Sequence, residues 1–93
     1  MNGKYVIAVK IKNYEGNIVE SFFGYEHTVC GTFICFTDSI CDDRVYMFDT
    51  IEEVKATLNE EYDYKKNRFN DYWNEDIVDG PYILKLTCEL VNL

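Results

Sequence analysis

The 93 residues, 47% hydrophobic and 16% aromatic with one proline and five glycines, carry enough apolar surface to offset chain entropy, which excludes a disordered chain. Seventeen acids against nine bases leave a formal charge of −8, the wrong sign for direct binding to nucleic acid or an anionic membrane. No run approaches ~18 consecutive apolar residues, so no membrane-spanning helix is expected.

The charge is unevenly spread. Residues 38–79 hold 13 of the 17 acids but 5 of the 9 bases, so this segment carries the whole imbalance. The length fits a single domain over residues 1–93, near the small end of what folds alone. Lys10 and Lys12 interrupt the first apolar run, so no secretory h-region forms and a cytoplasmic protein is expected. In that reducing setting Cys30, Cys35, Cys41 and Cys88 act as free, small apolar residues.

Lys4–Lys12 reads as a strand, because Tyr5, Ile7, Val9 and Ile11 alternate, and Val6 and Ala8 suggest cover on the second face too. Asn13-Tyr14-Glu15-Gly16-Asn17 is turn chemistry, and Ile18–Tyr25 returns as the partner strand of a hairpin. Glu26–Gly31 reads as a loop, and Thr32–Thr37 as a short apolar strand. After the acidic connection 38–43, Arg44–Phe48 is a short fourth strand.

Thr50 with Glu53 three residues later fits a capping box, with Asp49 as a competing cap. Ile51, Val54, Leu58 and Tyr62 share one helical face. Phe69 and Trp73 continue that spacing, so a kink or second short helix is expected over 65–74. Ile77–Pro81 reads as a loop punctuated by Gly80-Pro81, and Tyr82–Val91 as a strand placed either centrally in the sheet or beside the first one. Its Tyr82, Leu84, Leu86, Cys88 and Leu90 face is the one expected under the helix. The order β-β-β-β-α-β predicts an α+β fold, a single antiparallel sheet of four to five strands covered by one main helix.

No catalytic, metal or cofactor motif stands out. His27 and Cys30 lie too close in sequence for an ordinary nucleophile–base pair, and the second tight cysteine pair of a zinc site is missing. Asp38, Asp42 and Asp43 share one loop and read as solvated charge rather than a two-metal centre. No phosphate-binding glycine motif occurs. The expectation is a protein without enzymatic activity, cofactor or metal.

The remaining signal is a surface. Glu60, Glu61, Asp63, Asp71, Glu75 and Asp76 interleave with Tyr62, Tyr64, Tyr72 and Trp73. Tyrosine and tryptophan anchor interfaces, and carboxylates steer and pair with lysine and arginine. These ten residues form the candidate binding site for a basic protein surface, such as that of a nucleic-acid-binding nuclease. Two other readings compete. Lys65, Lys66 and Arg68 could converge on a small signalling nucleotide, or the aromatic face could join copies in a homo-oligomer.

Phe36-Thr37-Asp38-Ser39 followed by Phe48-Asp49-Thr50-Ile51-Glu52-Glu53-Val54-Lys55-Ala56-Thr57-Leu58 is similar to a pattern in small phage and prophage proteins, in which a strand ends in Phe-Thr and a helix opens with two glutamates. Size, acidity and tyrosine content also resemble anti-CRISPR proteins and other small phage inhibitors of host defence. The resemblance implies an inhibitor acting in the host cytoplasm on a defence nuclease. It carries over no site residue, and that class shares no single fold.

Overall fold

The first hairpin is set by one side chain. In a computed structural model that describes residues 4–66, 68–69 and 76–86, the Asn13 side-chain oxygen accepts from the backbone N–H groups of Glu15 and Asn17, each at 3.0 Å. Gly16 takes a φ of +85°, which glycine adopts without steric cost. This turn joins β1 (Lys4–Lys12) to β2 (Ile18–Thr28), paired antiparallel from Lys12 opposite Ile18 to Ala8 opposite Phe22.

β2 runs three residues further than the alternation suggests. Its end pairs with β3 (Gly31–Thr37) across a two-residue turn at Val29-Cys30, so Glu26–Thr28 is strand rather than loop. The final sheet strand, labelled β6 in chain order (Asp76–Leu86), lies beside β1, antiparallel to it. The sheet order is β3-β2-β1-β6, and the fold is α+β with one antiparallel four-stranded sheet.

The segment Ile77–Pro81 is strand, not loop. Gly80-Pro81 is a cis peptide bond at an irregularity in the ladder where Ala8 pairs with Tyr82 and Lys10 with Asp79. Gly80 has a φ of +95°, and an added Cβ would lie 3.1 Å from the Ala8 carbonyl oxygen. The bulge thus absorbs the proline, which has no N–H to give the ladder. The portion of the expected strand beyond Leu86 lies outside the described residues.

Both faces of the sheet are covered. On one, Ile7, Val9, Ile11 and Phe23 form the main core with Val54 and Leu58 of α1 (Ile51–Glu61), and Ile83 packs against them. On the other, Val6, Ala8 and Phe22 meet Ile40, Val45, Tyr82, Leu84 and Leu86. The helix therefore lies on the Ile83 side of β6, not on the Tyr82–Leu84–Leu86 side expected from the longer apolar stripe. That stripe is apolar because it packs against Val6, Ala8 and Phe22 on the second face, the cluster that Ile40 and Val45 of the 38–48 connection also meet.

The N-cap of α1 is Thr50, whose hydroxyl accepts from the Glu53 N–H at 3.2 Å. Glu52 and Glu53 in the first turn complement the helix dipole. Asp49 instead pairs with Lys4, raising the lysine pKa. The helix ends when Tyr62 turns extended, at φ −109° and ψ 127°. Here the expected kink or second helix is replaced, among the described residues, by a small hairpin of β4 (Tyr62–Asp63) and β5 (Arg68–Phe69). The Asp63 side chain accepts from the N–H groups of Lys65 and Lys66, at 2.9 and 3.1 Å, and so closes that turn.

Arg44–Phe48 is extended but is not a regular fourth strand. Past Ala8–Phe22, β1 and β2 pair no further with each other, and this segment fills the fork between them. Tyr25 N–H donates to the Arg44 carbonyl at 3.0 Å, and Tyr46 N–H to the Phe23 carbonyl at 3.1 Å. Two residues past Tyr46, Phe48 and Tyr5 exchange hydrogen bonds of 2.8 and 2.9 Å. The segment thus begins on β2 and ends on β1. Gly24 makes this possible, since an added Cβ would lie 2.0 Å from the Arg44 carbonyl oxygen.

Candidate functional site

The forked end of the sheet carries two neighbouring grooves. The larger, about 550 Å³, is lined by Tyr25, Glu26 and His27 of β2, Thr32 of β3, and Asp43, Arg44, Val45 and Tyr46 of the inserted segment. The smaller, about 320 Å³, is bounded by Tyr25, Tyr46, Phe48 and the α1 residues Glu53, Ala56 and Thr57. Tyr25 and Tyr46 belong to both, and their rings meet edge to face at 5.6 Å.

Local rules place each of these side chains. Phe23 and Tyr25 are two apart on β2 and share its helix-facing side, with ring centroids 5.1 Å apart. Tyr46 rests on Phe48 at 4.8 Å, and Phe48 is buried in the main core. Tyr46, 45% exposed, is therefore an aromatic surface on a rigid base. Glu53, Ala56, Thr57 and Glu60 recur at helical spacing along α1.

The electrostatics are one-sided. Glu26, Asp43 and Glu53 line the grooves, with Arg44 as the one lysine or arginine among the described lining residues. Arg44 is already committed. Its Nε and Nη2 donate to the two Asp42 carboxylate oxygens at 3.0 and 2.9 Å, and Nη1 lies 3.7 Å from Glu26. This two-pronged bond, with the Arg44 backbone N–H at 2.9 Å, holds the Asp42 carboxyl down at about 2. Burial, reinforced by the negative charge of Glu61, pushes the Tyr25 phenol above its ordinary value. His27 and Thr32 face each other across β2 and β3, 2.9 Å apart between Nδ1 and Oγ1. Such a site offers aromatic faces and carboxylates, the elements that hold an ammonium or guanidinium group.

The residues singled out from sequence distribute differently. Glu60 is exposed and Glu61 half-buried at the C-terminal end of α1, near enough for their charges to act on Tyr25. Tyr62 is 5% exposed, its ring against Phe69 at 5.0 Å, so its aromatic surface belongs to the core. Asp63 caps the β4–β5 turn, and backbone hydrogen bonds from Lys66 and Lys65 hold its pKa below the usual range. Tyr64 is exposed, packed edge-on to Tyr62. Asp76 opens β6 opposite Lys12, and Asp71, Tyr72, Trp73 and Glu75 lie outside the described residues.

Sequence reading missed Tyr25, Tyr46, Glu26, Asp43, Arg44 and Glu53 as a group. Their shared signal is faint: an arginine two residues after an aspartate, and a Tyr-Met-Phe run before the helix. His27 sits on β2, while Cys30 is exposed in the Val29-Cys30 turn, where its N–H donates to the Thr28 hydroxyl. Cys30, Cys35 and Cys41 are free thiols, and burial pushes the Cys35 thiol up. Among the described residues no three His, Cys, Asp or Glu side chains gather as metal ligands. Nor is any helix there long and apolar enough to cross a membrane. No family model, curated protein or solved structure matches the chain.

Proposed function

We propose that the protein is a non-enzymatic binding protein whose acidic, tyrosine-walled grooves receive lysine or arginine side chains from a basic protein surface. The observation that carries the reading is the Tyr25–Tyr46 ring pair, flanked by Glu26, Asp43 and Glu53, beside an arginine already bonded within the chain. An incoming cation meets two rings and a surplus of carboxylates, with the charge of Arg44 already matched by Asp42 and Glu26. The net charge of −8 steers such a partner from a distance, and the attraction falls as salt screens it. A nucleic-acid-handling enzyme presents lysine and arginine along its channel, which makes a nuclease the partner class this surface suits. The likeness to small phage inhibitors supports the same reading, with the host cytoplasm as its setting.

The nucleotide-binding alternative needs cations that converge. Lys65, Lys66 and Arg68 belong to the β4–β5 hairpin and line neither groove, so the geometry gives that reading no support.

The test is binding of a fluorescent arginine- and lysine-rich peptide, measured by anisotropy, to the wild-type chain and to Tyr46→Ala. The substitution leaves the charge unchanged, so general attraction to a polycation is held constant. Binding weakened about tenfold in the variant, and weakened again by salt, supports the reading. Equal affinity of the two proteins, or binding indifferent to salt, overturns it.

A further inference from the structure

The two edges of the sheet are protected very differently. The β6 edge carries Asp79 and Lys85, and its ladder is broken at Gly80-Pro81. Charges, proline and bulges are the usual means by which a sheet edge is kept from pairing with another chain. The β3 edge has none of them. Its seven residues, Gly31-Thr32-Phe33-Ile34-Cys35-Phe36-Thr37, contain no charge and no proline, and the register with β2 runs unbroken over all seven. No other strand among the described residues lies on its outer side. Phe33 is 48% exposed, and Ile34 and Cys35 are only half-buried, so both faces of this strand keep apolar surface that an added strand would cover.

We infer that β3 is a self-pairing edge, at which two copies of the chain join their β3 strands antiparallel into one continuous sheet. Charge decides the occupant. A basic partner finds nothing to attract it on an uncharged strand, whereas a second copy can pair there without bringing like charges together. A two-fold axis at Ile34 sets Gly31 opposite Thr37 of the second copy, Thr32 opposite Phe36, Phe33 opposite Cys35, and Ile34 opposite itself. No carboxylate enters these pairs: Glu26 stands one strand away on β2, and Asp38 follows the last paired residue. What opposes association is the long-range repulsion of two molecules at −8 each, which salt relieves.

Sedimentation equilibrium tests the inference, up to about 500 µM protein and between about 0.05 and 0.5 M salt. The wild-type chain should form a dimer that tightens several-fold as salt rises. That response is opposite to the one expected for a basic peptide at the grooves, so the two ideas fail separately. Phe33→Lys should weaken the dimer tenfold or more, although it lowers the net negative charge. Val78→Lys, the same charge change on the exposed face of β6, should leave dimerisation intact. A monomer under all conditions, or equal dissociation constants for the two variants, overturns the proposal. Should Phe33→Lys fail to fold, hydrogen exchange on the wild-type chain decides. Protection that grows with concentration across Gly31–Thr37 supports β3 pairing, and growth confined to α1 or β6 assigns the contact elsewhere and overturns it.

Discussion

The two halves of β2 are built by different means. Ile18–Phe22 pairs with β1 across a five-residue turn, which Asn13 and Gly16 specify within the turn itself. Phe23–Thr28 leaves β1, gains β3 on one side, and on the other meets a segment some twenty residues further along the chain. The first half is held by local chemistry and lines neither groove. The second is held by long-range contacts, and the grooves, the paired tyrosines and the arginine all sit there. Splitting two strands and filling the gap creates concave surface that a regular four-stranded ladder would not offer.

Removing the anchor of the inserted segment should have the largest effect. Phe48→Ala deletes a buried ring that touches Phe23 and Tyr46, at an expected cost of about 3–5 kcal/mol in urea denaturation. A pair of glycine substitutions then separates the halves directly. Gly24→Ala forces a Cβ against the Arg44 backbone and should cost about 3 kcal/mol. Gly16→Asn, at a positive-φ position with open space, should cost only a few tenths of a kcal/mol. Equal losses for the two glycines would erase the distinction drawn between the halves. In hydrogen exchange, Gly24→Ala should expose the Tyr25 and Tyr46 amides while those of the first hairpin stay protected.

The smallest effect concerns pH. Asp42 is held at about 2 in the fold by Arg44, below its unfolded value of about 3.9. A depressed carboxyl stabilises the fold above its unfolded pKa, and that contribution disappears as pH falls through the folded one. The wild-type chain should therefore lose stability between about pH 4 and pH 2 that Arg44→Leu has already forfeited at neutral pH. Carboxyl titration by NMR should show the Asp42 midpoint return to the ordinary range in the variant.

Sequence patterns conveyed the elements whose causes are local. β1, the first turn and the Thr50 cap are each specified within a few residues. So are the first three helical turns, where apolar spacing and capping agree. Residues 62–69 misled because Tyr62 and Phe69 fall at a spacing that suits a helix face, and Glu61 with Lys65 adds a helix-type pair. Both rings do reach the core, but as opposed residues of a hairpin, and the Asp63 turn is the signal that distinguishes the two. Gly80-Pro81 likewise looked like the end of an element when it is a bulge within one. The grooves were hidden for a different reason. Tyr25, Tyr46 and Glu53 become neighbours only when Arg44–Phe48 enters the fork, and no short-range pattern encodes that insertion. Glu60 and Glu61 were singled out for their place among tyrosines; they line neither groove, although their charges reach Tyr25.

The change of partner between Arg44 and Phe48 also bears on the order of assembly. The β1–β2 and β2–β3 hairpins close short loops and can form early, whereas Tyr5 and Phe48 are some forty residues apart. Phe48 has no slot until both hairpins hold the fork open, and Thr50 starts α1 two residues later. By sequence separation alone, the docking of the helix is expected to follow the two hairpins rather than precede them.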